Sequence, residues 1–164
     1  MRPVDDRLFQ IAEAEGIYVA YRPLCPTKGL LGLYVRDSRG AAIILDSGLP
    51  ANPRLERCIL AEELGHHFTV PVSSVFVALP SSTRRTAHLR DEARAVRWAC
   101  DYLMPAREFL DATRRGISSI EDLADHFYVT KWMVHARLRF LGLPIRRAIG
   151  QLAVLTVLGL AWLV

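Results

Sequence analysis

Asn52-Pro53-Arg54-Leu55-Glu56-Arg57-Cys58-Ile59-Leu60-Ala61-Glu62-Glu63-Leu64-Gly65-His66-His67 is the stretch on which the fold turns. Asn52 offers a capping side chain, and Pro53 follows at the first helical position, where its missing N–H costs nothing. The helix so started is predicted to run to about His67. Leu55 and Ile59 stand at helical spacing from Glu62, Glu63 and His66, so the apolar side of the helix leads onto two carboxylates and an imidazole. Residues i and i+4 sit one above the other, which lets Glu62 and His66 bind one ion while Glu63 reaches the attacking water. Gly65 costs about 1 kcal/mol against Ala inside a helix. Its missing side chain suits a close approach by another backbone.

A second helix is predicted from about Ala87 to Met104, stopped by Pro105. Ala95, Trp98, Ala99, Tyr102 and Leu103 form its apolar stripe, and one turn earlier the stripe meets Asp91 and Glu92. An unpaired buried carboxylate is costly, so polar groups on two core-facing stripes need a shared partner. One divalent metal ion held by Glu62, His66 and Glu92 satisfies that need and leaves a fourth position open. Taken singly, a Glu-Glu-x-x-His string is a solvated helix face, and Glu92 is an ion-pair partner for Arg90 or Arg94. Their joint placement points to the metal.

Outward from these helices, Asp5 to Gly16 reads as a helix with Leu8, Ile11 and Ala12 on one side. Ile17–Tyr21, Leu31–Arg36 and Ala41–Leu45 read as short strands, with Asp37-Ser38-Arg39-Gly40 as the hairpin turn between the last two. Thr69 to Thr86 is rich in Pro and Ser and is predicted as a long loop. Ile120–Phe127 and Thr130–Leu141 are shorter helical patterns. The expected class is α+β: a small antiparallel sheet packed on the two metal-binding helices, followed by a helical C-terminal portion. The expected divisions are 1–105 for the metal-binding core, 106–147 for the helical portion and 148–164 for an apolar tail.

The chain has 164 residues, 51% of them hydrophobic, which fits one globular domain with an appendage and excludes a disordered polymer. Basic residues number 21 against 17 acidic, a net charge of +4, and Lys28 and Lys131 are the only lysines. An arginine-heavy balance allows phosphate binding, although it also follows from genomic base composition. Cys25, Cys58 and Cys100 are widely spaced and form no Cys-x-x-Cys pair, so neither a disulfide framework nor a thiolate zinc knuckle is suggested. The first residues lack the apolar run of a signal peptide, which leads to the expectation of a reducing cytosol.

Ile59-Leu60-Ala61-Glu62-Glu63-Leu64-Gly65-His66-His67 resembles the His-Glu-Leu-Gly-His helix of the ImmA/IrrE metallo-endopeptidases. Glu92-x-x-Ala95-x-x-Trp98-Ala99-x-x-x-Leu103-Met104-Pro105 resembles that family's second signature, a Glu-bearing helix ending in Leu-Met-Pro. The resemblance covers roughly residues 5 to 142. It implies a zincin-like core and an intracellular zinc-dependent endopeptidase, with His66 and Glu92 as metal ligands and Glu63 as general base. It also implies a protein substrate, since such enzymes act on helix-turn-helix repressors often encoded beside them. The departure is Glu62, where the family's commonest residue is His. Two carboxylates cancel the charge of a divalent ion and acidify a bound water less. An oxygen-richer set also tilts preference from Zn2+ toward harder ions such as Mn2+. Two arrangements stay open: Glu62 as a direct ligand, or His88 or His67 in its place.

Ser119 to Thr130 resembles the first helix and turn of a helix-turn-helix. Its second helix would bury Val134, Leu138 and Leu141, with Lys131, His135 and Arg139 as a basic outer stripe. Direct DNA binding, by a regulator whose metal site is degenerate, is therefore the alternative function. A helical pair packed as structure is the plainer reading. His126 and His135 lie far from the metal motif and are not taken as ligands. Ala148 to Val164 is apolar on every face and would span about 25 Å as a helix, against a hydrocarbon core of about 30 Å. Arg146 and Arg147 would hold its start on the cytoplasmic side. A membrane tail anchor and a helix packed in a core or dimer interface both remain open.

Overall fold

The computed structural model describes residues 6–24, 29–70 and 81–143. In chain order the elements are α1 (Asp6–Ala14), β1 (Ile17–Arg22), β2 (Gly32–Asp37), β3 (Gly40–Asp46), α2 (Pro53–Thr69), α3 (Ser81–Leu103), α4 (Ala106–Arg114), α5 (Ile120–His126) and α6 (Lys131–Phe140). A single 3-10 turn, Leu49–Ala51, precedes α2. The class is α+β, as expected. The chain divides into two compact units, the first ending at Ala99 and the second starting at Cys100.

In the first unit the three strands are ordered β1-β3-β2. β2 and β3 pair antiparallel through the hairpin, whereas β1 and β3 run parallel, Ile17 opposite Ala41 and Arg22 opposite Asp46. The sheet is therefore mixed, a correction to the antiparallel expectation. Successive strands do alternate in direction, but β3 inserts between its predecessors and brings two like-directed strands together. β3 is the most apolar of the three, and the central place lets Ile43 and Leu45 be fully enclosed. α1 packs Leu8 and Ala12 into the same core.

α2 begins as the sequence implies: the Asn52 side chain accepts a hydrogen bond from the Leu55 amide at 3.2 Å, and Pro53 opens the helix. Cys58, Leu60, Ala61 and Leu64 are its deeply buried apolar residues. Leu55 and Ile59, expected to mark the core side, are only half-buried. Two buried carboxylates nearby are satisfied. Tyr21 Oη donates to Glu56 Oε1 at 2.5 Å, tying β1 to α2. Asp46 accepts from the backbone amides of Leu24 and Gly48 at 2.8 and 2.9 Å.

α3 starts at Ser81, six residues before the expected Ala87. Ser and Thr disfavour helix interiors but are well tolerated in a first turn, so the last part of the expected loop is helical. Residues 71–80 lie outside the described residues.

In the second unit, Ser119 and Thr130 cap α5 and α6, accepting from the amides of Asp122 and Met133 at 2.9 and 3.3 Å. Phe109, Leu123, Val129, Met133, Val134 and Leu138 are buried, and the Phe109 and Phe127 rings stack at 5.7 Å. α4 was not expected, because Pro105 was read only as a stop. A proline that ends one helix also suits the start of the next, and Pro105 is the cap residue of α4. Arg137 is buried and bonds Asp101 through Nη1, while its Nε and Nη2 have no partner among the described residues. Among the described residues no helix is long and apolar enough to cross a membrane. The tail at 148–164 lies outside them.

Candidate metal centre

α2, α3 and β2 enclose a cleft of about 480 Å3, and Glu62, Glu63, His66, His88 and Glu92 all line it. Helical spacing accounts for the first three. Glu92 reaches them because α2 and α3 cross closely at Gly65, where a β-carbon would meet the Ala95 carbonyl oxygen at 2.3 Å. Phe68 stacks on Trp98 at 5.0 Å and closes the same crossing.

His66 Nε2 stands 3.6 Å from Glu92 Oε1, and His88 Nδ1 stands 3.2 Å from the same oxygen. Two ligands of one tetrahedral ion at about 2 Å lie a little over 3 Å apart, so the His66–Glu92 pair has about the spacing of a shared ion. Among the described residues no three His, Cys, Asp or Glu side chains are yet gathered closely enough to hold one. His67, one of the alternative ligands, is engaged elsewhere: its Nδ1 meets Tyr34 Oη at 2.9 Å, and its Nε2 lies 3.4 Å from Glu15 Oε2. His88 stays in the cleft but is largely exposed.

The electrostatics supply the test of fit. Burial, then the charge of Glu92, pushes the Glu62 carboxyl up. Burial pushes Glu63 up to about 7, helped by the charges of Glu62 and Glu92 and opposed by His66 and the Tyr34 amide. His66 is raised overall: burial works against its charged form, but the nearby Glu92 carboxylate and the charges of Glu63 and Glu62 outweigh it. Glu92 is held low, first by its contact with His66. The cleft thus gathers three carboxyl groups against two histidines. A divalent cation fits this donor set, and Glu62, His66 and Glu92 are the residues that would hold it.

Glu63 occupies a different position on the helix. Its carboxylate accepts a hydrogen bond from the backbone amide of Tyr34 in β2. It also lies against Gly32, where a β-carbon would fall 2.4 Å from Oε1. A buried carboxyl near neutrality, fixed by a strand and beside the candidate metal ligands, is equipped to exchange protons. Gly32, Tyr34 and their strand neighbour Arg36 were missed as site residues. Alternation along β2 puts all three on one face, which is the signal that could have found them.

A sheet-backed helix bearing Glu-Glu-x-x-His, crossed by a second helix bearing Glu, has the organisation of a metallopeptidase. Residues 12–139 match the model of the Peptidase_M78 family, the IrrE N-terminal-like domain, and the chain belongs to that family. No curated protein and no solved structure matches the chain.

Proposed function

We propose that the protein is a metal-dependent endopeptidase that cleaves a cytosolic protein, with a helix-turn-helix repressor as the substrate class. The observation that carries the reading is the convergence of Glu62, Glu63 and His66 from α2 with Glu92 from α3 on one cleft. The repressor assignment rests on the family resemblance of the two motifs. A divalent ion bound by Glu62, His66 and Glu92 supplies Lewis-acid polarisation of the scissile carbonyl and a more acidic water. Zinc is the ion the family implies, and Glu62 makes manganese the competitor.

Glu63 takes a proton from the attacking water and delivers it to the departing amine nitrogen. The Tyr34 amide keeps one carboxylate oxygen in place during both transfers. The narrow space at Gly32 limits where that carboxylate swings. An extended segment of substrate lies between β2 and the helices, where Leu31, Leu33 and Ile59 offer apolar contact. The reading places the catalytic part in the cytoplasm, with residues 148–164 as a candidate anchor to the inner membrane face.

The test is cleavage of a purified helix-turn-helix repressor, taken from the neighbouring reading frames, by protein loaded with zinc or with manganese. Glu63→Gln keeps the shape of the side chain and should retain metal while cleavage falls by about 10²–10⁴-fold. His66→Ala and Glu92→Ala should lose both metal and activity. Full cleavage by Glu63→Gln would overturn the mechanism.

A further inference from the structure

The acidic residues of the cleft are drawn together on α2 and α3, but its strand wall carries a charge of the other sign. Arg36 is the one Arg or Lys among the described residues lining the cleft, and it is exposed at the edge of β2. It is not a counter-ion of the metal-binding cluster. The shifts of Glu62, Glu63 and Glu92 arise from burial, from one another, from the histidines and from the Tyr34 amide. Nor does its neighbour Asp37 neutralise it, since that carboxylate is engaged by Arg39 at 2.9 Å.

Arg36 is nevertheless oriented. Its guanidinium lies beside the Tyr34 hydroxyl, which meets His67 Nδ1 at 2.9 Å, and His67 Nε2 lies 3.4 Å from Glu15 Oε2. A consistent set of donors runs along this chain. The Tyr34 O–H donates to Nδ1, the Nε2–H faces the carboxylate, and the Arg36 guanidinium flanks the Tyr34 oxygen. That assignment fixes the His67 tautomer and leaves the remaining guanidinium N–H groups for a partner outside the chain. A guanidinium prefers a carboxylate, which it holds through two parallel hydrogen bonds.

We propose that Arg36 determines substrate specificity by binding an acidic side chain of the peptide two residues from the scissile bond. The inference rests on the peptidase reading given above. The interval comes from β2 itself. Glu63 is bonded to the Tyr34 amide, and Arg36 lies two residues further along, about 7 Å of extended strand. A peptide lying extended beside the strand covers that distance in two residues.

The experiment uses fluorescence-quenched peptides of one sequence in which Glu, Gln or Lys occupies the second position on either side of the cleaved bond. For one of these placements, kcat/KM of the metal-loaded protein should favour Glu over Gln by about tenfold. Arg36→Met should abolish the preference mainly through KM, at unchanged metal content. Arg36→Glu should turn it toward Lys. Retention of the Glu preference in Arg36→Met, or its absence in the wild type at both placements, overturns the proposal. If the wild type cleaves none of the peptides, the peptidase reading fails, and Arg36 is then judged by fluorescence anisotropy of the same peptides on metal-loaded Glu63→Gln. Tighter binding of Glu than Gln peptide, lost on adding Arg36→Met, sustains it, whereas equal or undetectable binding overturns it.

Discussion

Gly65 and Ala95 are in contact through their backbones: a β-carbon at Gly65 would lie 2.3 Å from the Ala95 carbonyl oxygen and 2.8 Å from its Cα. Because the obstacle is main chain, a side chain at Gly65 must drive the two helices apart. Gly65→Ala gains about 1 kcal/mol of helix propensity but meets an overpacking cost of about 1–3 kcal/mol. The variant should melt at a lower temperature and bind metal more weakly, since His66 and Glu92 separate with the helices. A higher melting temperature with unchanged metal affinity would contradict the close crossing.

Glu63 predicts a pH dependence of the metal-free protein. Its carboxyl titrates near 7 when folded against 4.5 ordinarily, so folding favours the protonated form. Stability from this group is fully present below pH 4.5, falls as pH rises toward 7 and is lost above it. The loss is of the order of 3 kcal/mol. Thermal melts of wild type and Glu63→Gln in chelator should therefore diverge from pH 5 to pH 8, the variant becoming relatively more stable. Parallel curves would mean that the carboxyl is not held as described.

Much of this site was legible because it lies on single elements. Asn52 and Pro53 locate the start of α2, the i, i+4 rule brings Glu62 to His66, and the lone Gly65 announces a close approach. The strand order was not legible, since alternation fixes which face a residue occupies but not which edge the next strand takes. Arg36, Tyr34, His67 and Glu15 escaped for a related reason. Their chain exists only once β2 and α1 are brought against α2, 33 residues from Tyr34 to His67 along the sequence. α4 was lost to a proline that performs two tasks.

Glu62→His distinguishes a ligand from a bystander. If Glu62 binds the ion, an imidazole there rebuilds a two-His, one-Glu set and should raise preference for zinc over manganese. Metal content after exposure to equal concentrations of both ions reads this directly. Unchanged selectivity would remove Glu62 from the ligand set.

The α5–α6 pair can be judged as a DNA reader by salt dependence. Lys131 Nζ is bonded to Glu121 Oε1 at 2.6 Å, but both groups are exposed, and such a surface pair is worth little beside a phosphate contact. If the segment binds duplex DNA, affinity should fall steeply with salt, and the double change Lys131→Ala, Arg139→Ala should flatten that slope by about two. No retention of duplex at low salt would make the pair structural.

Arg137 offers a stability test away from the cleft. Its guanidinium is buried with two nitrogens unpaired among the described residues, while its partner Asp101 is largely exposed. Replacing a half-satisfied buried cation by Met removes a desolvation cost and strands no buried charge, so Arg137→Met should be neutral or stabilising by about 1–2 kcal/mol. Denaturant melts decide, and a strong loss would mean that the Asp101 bond outweighs the desolvation.

α2 has no division of labour along its length. Ala61, Leu64 and Gly65, which build the core, alternate with Glu62, Glu63 and His66, which face or border the cleft. On the peptidase reading, catalysis and folding are therefore written in the same two turns of helix, and a lineage cannot drift in one without disturbing the other. A descendant released from selection for hydrolysis would be expected to replace Glu63 early, because the fold gains when that carboxyl goes. On that reading, a glutamate in so unfavourable a place trades stability for chemistry.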